Sequence, residues 1–283
     1  MSRQRLRLRL KLKELSESLA LGRFTSREKS LAGFEPEEVR RLQPGDSPTS
    51  SSFDALRSIL YKRYFLRVKR AEKSARALIC LDNSSSMRAG FGKITKREFM
   101  LAIVEEVIEG LTEAAAEVGF IIWSCEIEDE LLPLSGVFRA RERLTMLGER
   151  NIKHCLTRPA ALFEYLLRVK DRPSIVFVFS DWHDTGEFSQ ALKKCLAAKL
   201  DIVPVVISDI FNRGTPRFLG DALFRSAESK AVKALEQISE RCEGVKIFSL
   251  LKLPFIDISP DTEADKWREN FIEFFDNRER GIG

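Results

Sequence analysis

Hydrophobic positions along the chain follow two different patterns, and the change falls near residue 75. From there to the C-terminus, short apolar runs alternate with stretches of helical periodicity. The apolar runs predict buried strands over Ala77–Leu81, Val118–Trp123, Ile175–Phe179, Ile202–Ile207 and Val245–Leu250, with an edge strand over Ile127–Leu132. The helical spacing predicts helices over residues 96–116, 158–169, 187–199, 228–242 and 263–278. Buried strands that alternate with helices are typical of parallel sheets. We therefore predict a Rossmann-like α/β domain over residues 75–283, with a mainly parallel sheet covered by helices on both faces.

The first 74 residues predict a smaller, β-containing module. Residues 3–13 alternate strictly between Arg or Lys and Leu, which predicts a half-buried strand with one cationic face. A further strand is predicted over Leu60–Val68. Between them, Pro44-Gly45-Asp46 and the serine-rich run at 47–52 indicate turns. We predict a domain boundary between residues 74 and 75.

Composition narrows the class of protein. The 283 residues are 44% hydrophobic and 31% charged, which is enough to form a core and excludes extended disorder. The longest apolar runs are about five residues, whereas a bilayer-spanning helix needs about 18, so we expect no membrane span. The N-terminus lacks the apolar segment of a secretory signal. Five widely spaced cysteines without a CxxC motif predict reduced thiols and a cytoplasmic location.

Charge is unevenly distributed between the two parts of the chain. Residues 1–76 carry 19 Lys and Arg against nine Asp and Glu, a net charge of +10 within a total of +5. We interpret the basic segment as a solvated strand face that also contacts the acidic remainder of the chain. Nucleic-acid binding is the alternative, because Tyr61, Tyr64 and Phe65 lie among several Lys and Arg residues.

Polar residues follow two of the predicted buried strands. Asp82, Ser84 and Ser86 come after the first, and Asp181 comes after the Ile175–Phe179 strand. Thr157 lies between them, just before a predicted helix. Ligands of open parallel sheets bind at the carboxyl ends of the strands, so we expect these five residues to converge there. Carboxylate and hydroxyl oxygens suit Mg²⁺ or Mn²⁺. With only two carboxylates, the bound ion would retain affinity for a carboxylate from outside.

Each of these residues also has a simpler interpretation. Asp82 and the serines could cap the next helix, Thr157 could be the N-cap of the helix over 158–169, and Asp181 could be a turn residue. The combination at two strand ends favours the metal site.

The residues Leu81-Asp82-Asn83-Ser84-Ser85-Ser86-Met87 resemble the metal-ion-dependent adhesion site of von Willebrand factor type A domains. Upstream, Leu42-Gln43-Pro44-Gly45-Asp46 resembles the Tyr-x-Pro-Gly-Asp signature of the bacterial domain-of-unknown-function family fifty-eight, a von Willebrand A-like group. Leu42 stands where that family usually has an aromatic residue. The likeness extends from about residue 20 to the C-terminus.

The resemblance implies binding and not catalysis. Asp82, Ser84, Ser86, Thr157 and Asp181 would hold Mg²⁺ or Mn²⁺, and the ion would hold an Asp or Glu of a protein partner. Members of the family are commonly encoded beside MoxR-type AAA+ ATPases, which implies an accessory role in protein assembly or activation. The membrane segments that often precede this domain in the family are not found here, so we expect a soluble, cytoplasmic bacterial protein.

A metal-dependent hydrolase is a further alternative. A strand that ends in Asp also occurs in haloacid-dehalogenase phosphatases, but their nucleophile needs a second acid two residues later, where this chain has Ser84. The sequence contains no GxSxG, GxxxxGK[ST], GxGxxG or HExxH motif. A metal ion with two carboxylates could nevertheless activate water.

Overall fold

The computed structural model describes residues 3–20, 29–30, 36–41, 54–70, 75–90, 94–113, 116–134, 137–149, 152, 155, 157–169, 172–183, 187–208, 223–225, 232–234, 243–259 and 265–279. Contacts within the chain separate two compact units, one over Glu17–Ser74 and the other over Met1–Ser16 together with Ala75–Gly283. One division falls after residue 74, where the hydrophobic pattern changes. Residues 1–16, which we predicted to belong to the basic module, group instead with the larger unit.

The described strands, in chain order, are β1 (Lys29–Ser30), β2 (Pro36–Arg41), β3 (Phe65–Arg70), β4 (Arg76–Asp82), β5 (Glu117–Trp123), β6 (Ile127–Leu134), β7 (Ile175–Ser180), β8 (Ile202–Ile207), β9 (Leu223–Arg225), β10 (Val232–Ala234) and β11 (Ile256–Ile258). The described α-helices are α1 (Arg3–Ala20), α2 (Ala55–Tyr61), α3 (Lys96–Glu113), α4 (Val137–Glu149), α5 (Pro159–Leu166), α6 (Ser189–Ala197), α7 (Glu243–Leu250) and α8 (Lys266–Glu279). A short 3₁₀ turn spans Ser85–Arg88.

The larger unit contains a six-stranded sheet in the order β11-β8-β7-β4-β5-β6. All neighbouring strands are parallel except β6, which pairs antiparallel with β5 at one edge. After β4 the chain continues to β5 on one side, and it later returns to place β7 on the other side. The boundary between β4 and β7 is therefore the point where the strand order reverses, which is where open α/β sheets bind ligands. The predicted mainly parallel α/β fold is confirmed.

The central strands are buried on both faces, as their unbroken apolar sequence predicts. On one face, Leu78 and Cys80 of β4 belong to a cluster that includes residues of α5, α6 and α7. On the other face, Phe177 of β7 packs edge-on against Phe275 of α8, with ring centroids 6.2 Å apart. Helices thus cover both sides, and the carboxyl edge of the sheet is left to the loops.

The basic N-terminal segment is a helix, so the predicted strand over residues 3–13 is wrong. Two of the alternating leucines, Leu8 and Leu12, are spaced by four and continue with Leu15 and Leu19 along one face of a helix. All four of these leucines are buried. The alternate leucines Leu6 and Leu10 are each 52% exposed. Arg, Leu and Lys are also good helix formers. The helix packs closely on α3, where a Cβ at Gly110 would lie 2.7 Å from Leu12 Cδ1.

Several cationic side chains of α1 are paired with acidic groups of the same unit. These contacts join Arg5 to Glu109, Arg9 to Glu109 and Glu113, and Lys11 to Asp276. The basic face therefore contacts acidic residues, as the charge asymmetry suggested, although the element that carries it is helical.

Two further predictions near the C-terminus fail. The predicted strand over Val245–Leu250 is the helix α7, because Phe248 enters the core at helical spacing from Gly244, which lies against Trp182. The last strand of the sheet is β11, a short segment that sequence periodicity did not identify. The predicted helix over 228–242 lies mostly outside the described residues, and its described part, β10, pairs antiparallel with β9.

The smaller unit contains an antiparallel sheet in the order β1-β3-β2. The strand predicted over Leu60–Val68 is split: α2 ends at Tyr61, and β3 begins at Phe65. Asp54 caps α2 by accepting a hydrogen bond from Arg57 N, and Lys62 adopts a left-handed conformation (φ 48°) that ends the helix. The Pro44-Gly45-Asp46 segment lies outside the described residues.

Candidate metal centre

The carboxyl end of β4 terminates in a fixed, buried carboxylate. Asp82 is 1% exposed. Its Oδ1 accepts a hydrogen bond from Ser84 N at 2.8 Å, and its Oδ2 accepts one from Ser180 Oγ at 2.6 Å. Ser180 is the last residue of β7, so a single carboxylate connects the two strand ends at the point where the strand order reverses.

The loop after β4 places two hydroxyl groups side by side. Ser84 Oγ and Ser86 Oγ are 3.1 Å apart, and Ser84 is fully buried. The 3₁₀ turn fixes this arrangement through hydrogen bonds from Met87 N to Ser84 O and from Ala89 N to Ser86 O. The alternating Asp82, Ser84 and Ser86 therefore form one oxygen-rich cluster.

The carboxyl end of β7 carries the second aspartate, which is also buried. Asp181 has no exposed surface, and its Oδ1 lies 3.4 Å from His183 N. The next residue, Trp182, adopts a left-handed conformation (φ 56°), and its backbone N donates to Ser180 Oγ at 3.0 Å. The Trp182 indole is packed among four aromatic rings: Trp123, Phe163, Phe188 and Phe248. This cluster fixes the backbone turn that positions Asp181.

A lysine that sequence analysis did not identify completes the β7 side of the cluster. Lys96 Nζ lies 2.9 Å from Asp181 Oδ2, and the lysine side chain is only 3% exposed. Lys96 is the first residue of α3. The one local signal in the sequence was the capping box Thr95–Glu98, which predicts where α3 begins but not where the ammonium group points.

The two aspartates differ in their electrostatic surroundings. Burial raises the pKa of Asp82 to about 7, and repulsion from Asp181 acts in the same direction against the hydrogen bonds from Ser180 and Ser84. Burial also acts to raise the pKa of Asp181, but Lys96 and His183 together outweigh it through their charges and hydrogen bonds, and this pKa lies below its usual range. The largest effects on the pKa of Asp82 come from burial, Asp181, Ser180 and Ser84, and none of these is a cation.

Thr157 is buried and lies in the segment that leads into α5. The N-cap of α5 is Arg158, so Thr157 is not the cap that the simpler interpretation proposed. Arg158 N donates a 3.0 Å hydrogen bond to Ser124 O, immediately after β5. Since Trp123 is in register with Asp82, Thr157 lies in a segment attached to the strand end next to that of Asp82.

A second polar group lies on the β5 side of Asp82. Asn83 Nδ2 donates to Glu128 Oε2 at 2.9 Å, and Ser124 Oγ donates to Glu128 Oε1. Asn83 N also donates to Trp123 O at 2.8 Å. These bonds hold Asn83, the first residue of the loop after β4, in place. Glu128 is a polar residue at the carboxyl edge of the sheet that the sequence did not indicate.

The donor set suits a hard divalent cation. Asp82, Ser84 and Ser86 offer one carboxylate and two neutral hydroxyls, the oxygen ligands that Mg²⁺ and Mn²⁺ accept. Asp82 is a buried acid whose ionised form a cation would stabilise. Within the described residues, no group of three or more His, Cys, Asp or Glu side chains could hold a metal. Any ion at this edge would therefore depend on hydroxyl ligands.

The strand order, the single antiparallel edge strand and the polar cluster at the carboxyl edge define a von Willebrand A-like α/β protein. The family whose profile matches the chain is described as Protein of unknown function DUF58, and the match covers residues 38–243. The protein belongs to this family, as the sequence resemblance indicated. Among curated proteins, no sequence matches the chain.

Solved structures share the fold at low sequence identity. An aerotolerance-related membrane protein from Bacteroides fragilis, in a form with multiple mutations to serines, is 16% identical, with a TM-score of 0.50, over 71% of this chain and 99% of that one. The conserved hypothetical protein BatB from Bacteroides thetaiotaomicron is 14% identical, with a TM-score of 0.50, over 73% of this chain and 100% of that one. Within the part of the present chain that the structure describes, no helix is long and apolar enough to cross a membrane.

Proposed function

We propose that this protein is a metal-dependent interaction module that binds Mg²⁺ or Mn²⁺ at the carboxyl edge of its sheet and uses the ion to engage an acidic residue of a protein partner. One observation carries the proposal. Asp82 is buried at the reversal of strand order, directly beside the paired hydroxyls of Ser84 and Ser86. Family membership and the fold support the same assignment.

The residues have distinct roles in this proposal. Asp82, Ser84 and Ser86 would be the core ligands, and Thr157 and Asp181 would complete the site directly or through water. When bound, the ion supplies a coordination position that a carboxylate can occupy. The hydrogen bonds from Ser84 N and Ser180 Oγ orient the Asp82 carboxylate, and the 3₁₀ turn keeps the two hydroxyls together.

The partner is proposed to be a protein presenting Asp or Glu, with a MoxR-type AAA+ ATPase as its functional associate. This part rests on the resemblance to the family and not on a contact in the structure. We propose a binding role without catalysis, and a cytoplasmic location on the basis of the cysteine spacing. Nucleic-acid binding through the N-terminal helix is disfavoured because Arg5, Arg9 and Lys11 are already paired with carboxylates. The exposed Tyr61 and Tyr64, on which that alternative was based, stay compatible with it.

Calorimetric titration of Mg²⁺ and of Mn²⁺ into the chelator-treated protein tests the proposal. We expect saturable one-site binding that Asp82→Ala abolishes and Ser86→Ala weakens. Asp257→Asn is the matched control, because the Asp257 carboxylate also accepts a 2.6 Å hydrogen bond from a serine, Ser208, but lies on the edge strand β11. Metal binding that survives in Asp82→Ala would contradict the proposal. So would the absence of binding from both the wild type and Lys96→Met, a variant that removes the buried cation beside Asp181.

A further inference from the structure

Lys96 occupies an unfavourable place for a positive charge. Lysine is almost never fully buried unless it is paired, and the Lys96 side chain is 3% exposed. It is also the first residue of α3, where the helix dipole favours anions over cations. The ion pair with Asp181 Oδ2 offsets both costs. A residue held there at such cost points to a role in the electrostatics of the site.

The backbone around Lys96 is fixed to the loop that carries the serines. Thr95 and Glu98 form a reciprocal cap, in which Thr95 N donates to Glu98 Oε2 at 2.7 Å and Glu98 N donates to Thr95 Oγ1 at 3.1 Å. Lys96 N donates to Ala89 O at 2.9 Å, directly after the 3₁₀ turn. At Gly90 a Cβ would lie 2.5 Å from Ile94 O, so only glycine permits this close return of the chain. The end of the serine-bearing turn and the start of α3 are therefore bound to each other, which relates the position of the hydroxyls to that of the ammonium.

We propose that Lys96 is a built-in cation of the metal centre, which weakens the affinity of the site for a divalent ion and couples metal binding to the arrival of one carboxylate from outside. The inference rests on the proposed function and adds a regulatory property to that same site.

The charges of the buried groups give the reason. Asp82 and Asp181 together balance one divalent ion, so the Lys96 ammonium leaves the loaded site with a net charge of +1. A single carboxylate ligand brings the site to neutrality. Without Lys96 the loaded site would already be neutral, and the same ligand would add an excess negative charge. Charges interact more strongly in a buried site than in water. The ammonium therefore disfavours binding of the metal ion by itself and favours binding of the metal ion together with an external carboxylate.

Calorimetry on chelator-treated wild type and Lys96→Met tests this with Mn²⁺, in buffers of equal ionic strength with and without sodium acetate as the carboxylate probe. We expect Lys96→Met to bind Mn²⁺ about tenfold more tightly, or more, than the wild type in the absence of acetate. We expect acetate to tighten Mn²⁺ binding several-fold in the wild type and less in Lys96→Met. Lys266→Met is the matched control, since Lys266 is also the first residue of a helix but is exposed.

A charge-retaining variant separates charge from packing. Lys96→Arg keeps a cation beside Asp181, so its Mn²⁺ affinity should stay near that of the wild type. Folded Lys96→Arg that binds Mn²⁺ as tightly as Lys96→Met would overturn the charge argument. If Lys96→Met does not fold, the wild type alone tests the inference. A wild-type Mn²⁺ affinity that is the same with and without acetate overturns it.

The outcomes distinguish this inference from the proposed function. Wild-type binding that is unchanged or weaker in folded Lys96→Met overturns the inference and leaves the metal site standing. Binding seen only in Lys96→Met supports a site that Lys96 suppresses. No binding in either folded protein overturns both.

Discussion

The carboxyl ends of β4 and β7 lie side by side. Strand β4 ends at the buried Asp82 and β7 is followed by the buried Asp181, and the electrostatic surroundings of the two aspartates differ. Asp82 is surrounded by hydroxyl and amide donors, and its pKa is raised to about 7. Asp181 faces an ammonium group, and its pKa is lowered. Burial is equally complete for both. Lys96, 85 residues away from Asp181 in the sequence, makes the largest contribution that lowers the pKa of Asp181, whereas burial raises that of Asp82, whose ionised form a bound cation would stabilise.

This difference assigns separate tasks to the two acids. Asp181 is paired with Lys96, so its loss should destabilise the fold in addition to removing its proposed contribution to the metal site. Asp82 lies beside the neutral hydroxyls of Ser84 and Ser86, so loss of its carboxylate should weaken metal binding. The predictions below test that division, beginning with the largest expected effect.

Removing the charge of Asp181 should cost more stability than removing that of Asp82. Asp181→Asn leaves the buried Lys96 ammonium without its partner, which typically costs about 3–5 kcal/mol. Asp82→Asn removes a desolvated carboxylate and leaves one of its two donors, Ser84 N or Ser180 Oγ, without an acceptor, so we expect a smaller cost of about 1–3 kcal/mol. Chemical denaturation of both variants in the presence of chelator measures the difference. Equal losses would mean that the two strand ends are not electrostatically distinct.

The stability of the metal-free protein should rise as the pH is lowered from about 7.5 to 5. The folded-state pKa of Asp82, about 7, exceeds the unfolded value of 3.8, so the folded state binds more protons in this window. The gain should approach about 1.4 kcal/mol for each pH unit. Denaturation at several pH values, with Asp82→Asn as the control, isolates the contribution. If the free energy of unfolding changes with pH equally in the wild type and in Asp82→Asn, the raised pKa of Asp82 is refuted.

The aromatic cluster beneath Asp181 should tolerate no added volume. In Gly244→Ala the new Cβ would lie 2.6 Å from Trp182 Cβ, and the indole is enclosed by other rings. We expect a loss of about 1–3 kcal/mol, despite the better helix propensity of alanine. Thermal unfolding gives the loss, and Gly148→Ala is the control because its nearest contact would be an ordinary 3.7 Å. A stabilised Gly244→Ala would show that the β7 end is loosely packed.

The smallest effect concerns the helix cap that positions Lys96. Thr95→Ala removes the hydroxyl that accepts from Glu98 N and should cost about 1 kcal/mol. Thr95→Ser keeps the hydroxyl and should restore most of the loss. Chemical denaturation compares the three proteins. A loss that serine does not rescue would point to the threonine methyl group and not to the cap.

The sequence was informative wherever burial on both faces left one interpretation. The apolar runs before Asp82 and Ser180 were correctly predicted as interior strands, which placed the residues after them at the carboxyl edge of the sheet. The run over Val245–Leu250 led to the same prediction and is a helix. The first 20 residues allowed two interpretations. Leucines spaced by two include a subset spaced by about four, and packing against α3 selected the helical one through Leu8 and Leu12.

The Lys96–Asp181 pair could not be predicted, for a different reason. A lysine at the start of an amphipathic helix is ordinarily solvated, and nothing in its local sequence marks it as buried. Its position depends on how α3 docks over the strand ends, which is a long-range property of the fold. Glu128 was missed partly for the same reason, because its partner Asn83 belongs to the loop after β4, 45 residues away in the sequence.

Two of the three tryptophans flank the two aspartates: Trp123 is in register with Asp82, and Trp182 directly follows Asp181. Their ring centroids are 6.3 Å apart, and both indoles are buried. The third, Trp267, lies in α8 under the guanidinium of Arg268. The emission of buried indoles responds to nearby charge, so the protein contains a label-free optical gauge of the electric field at the edge of its sheet.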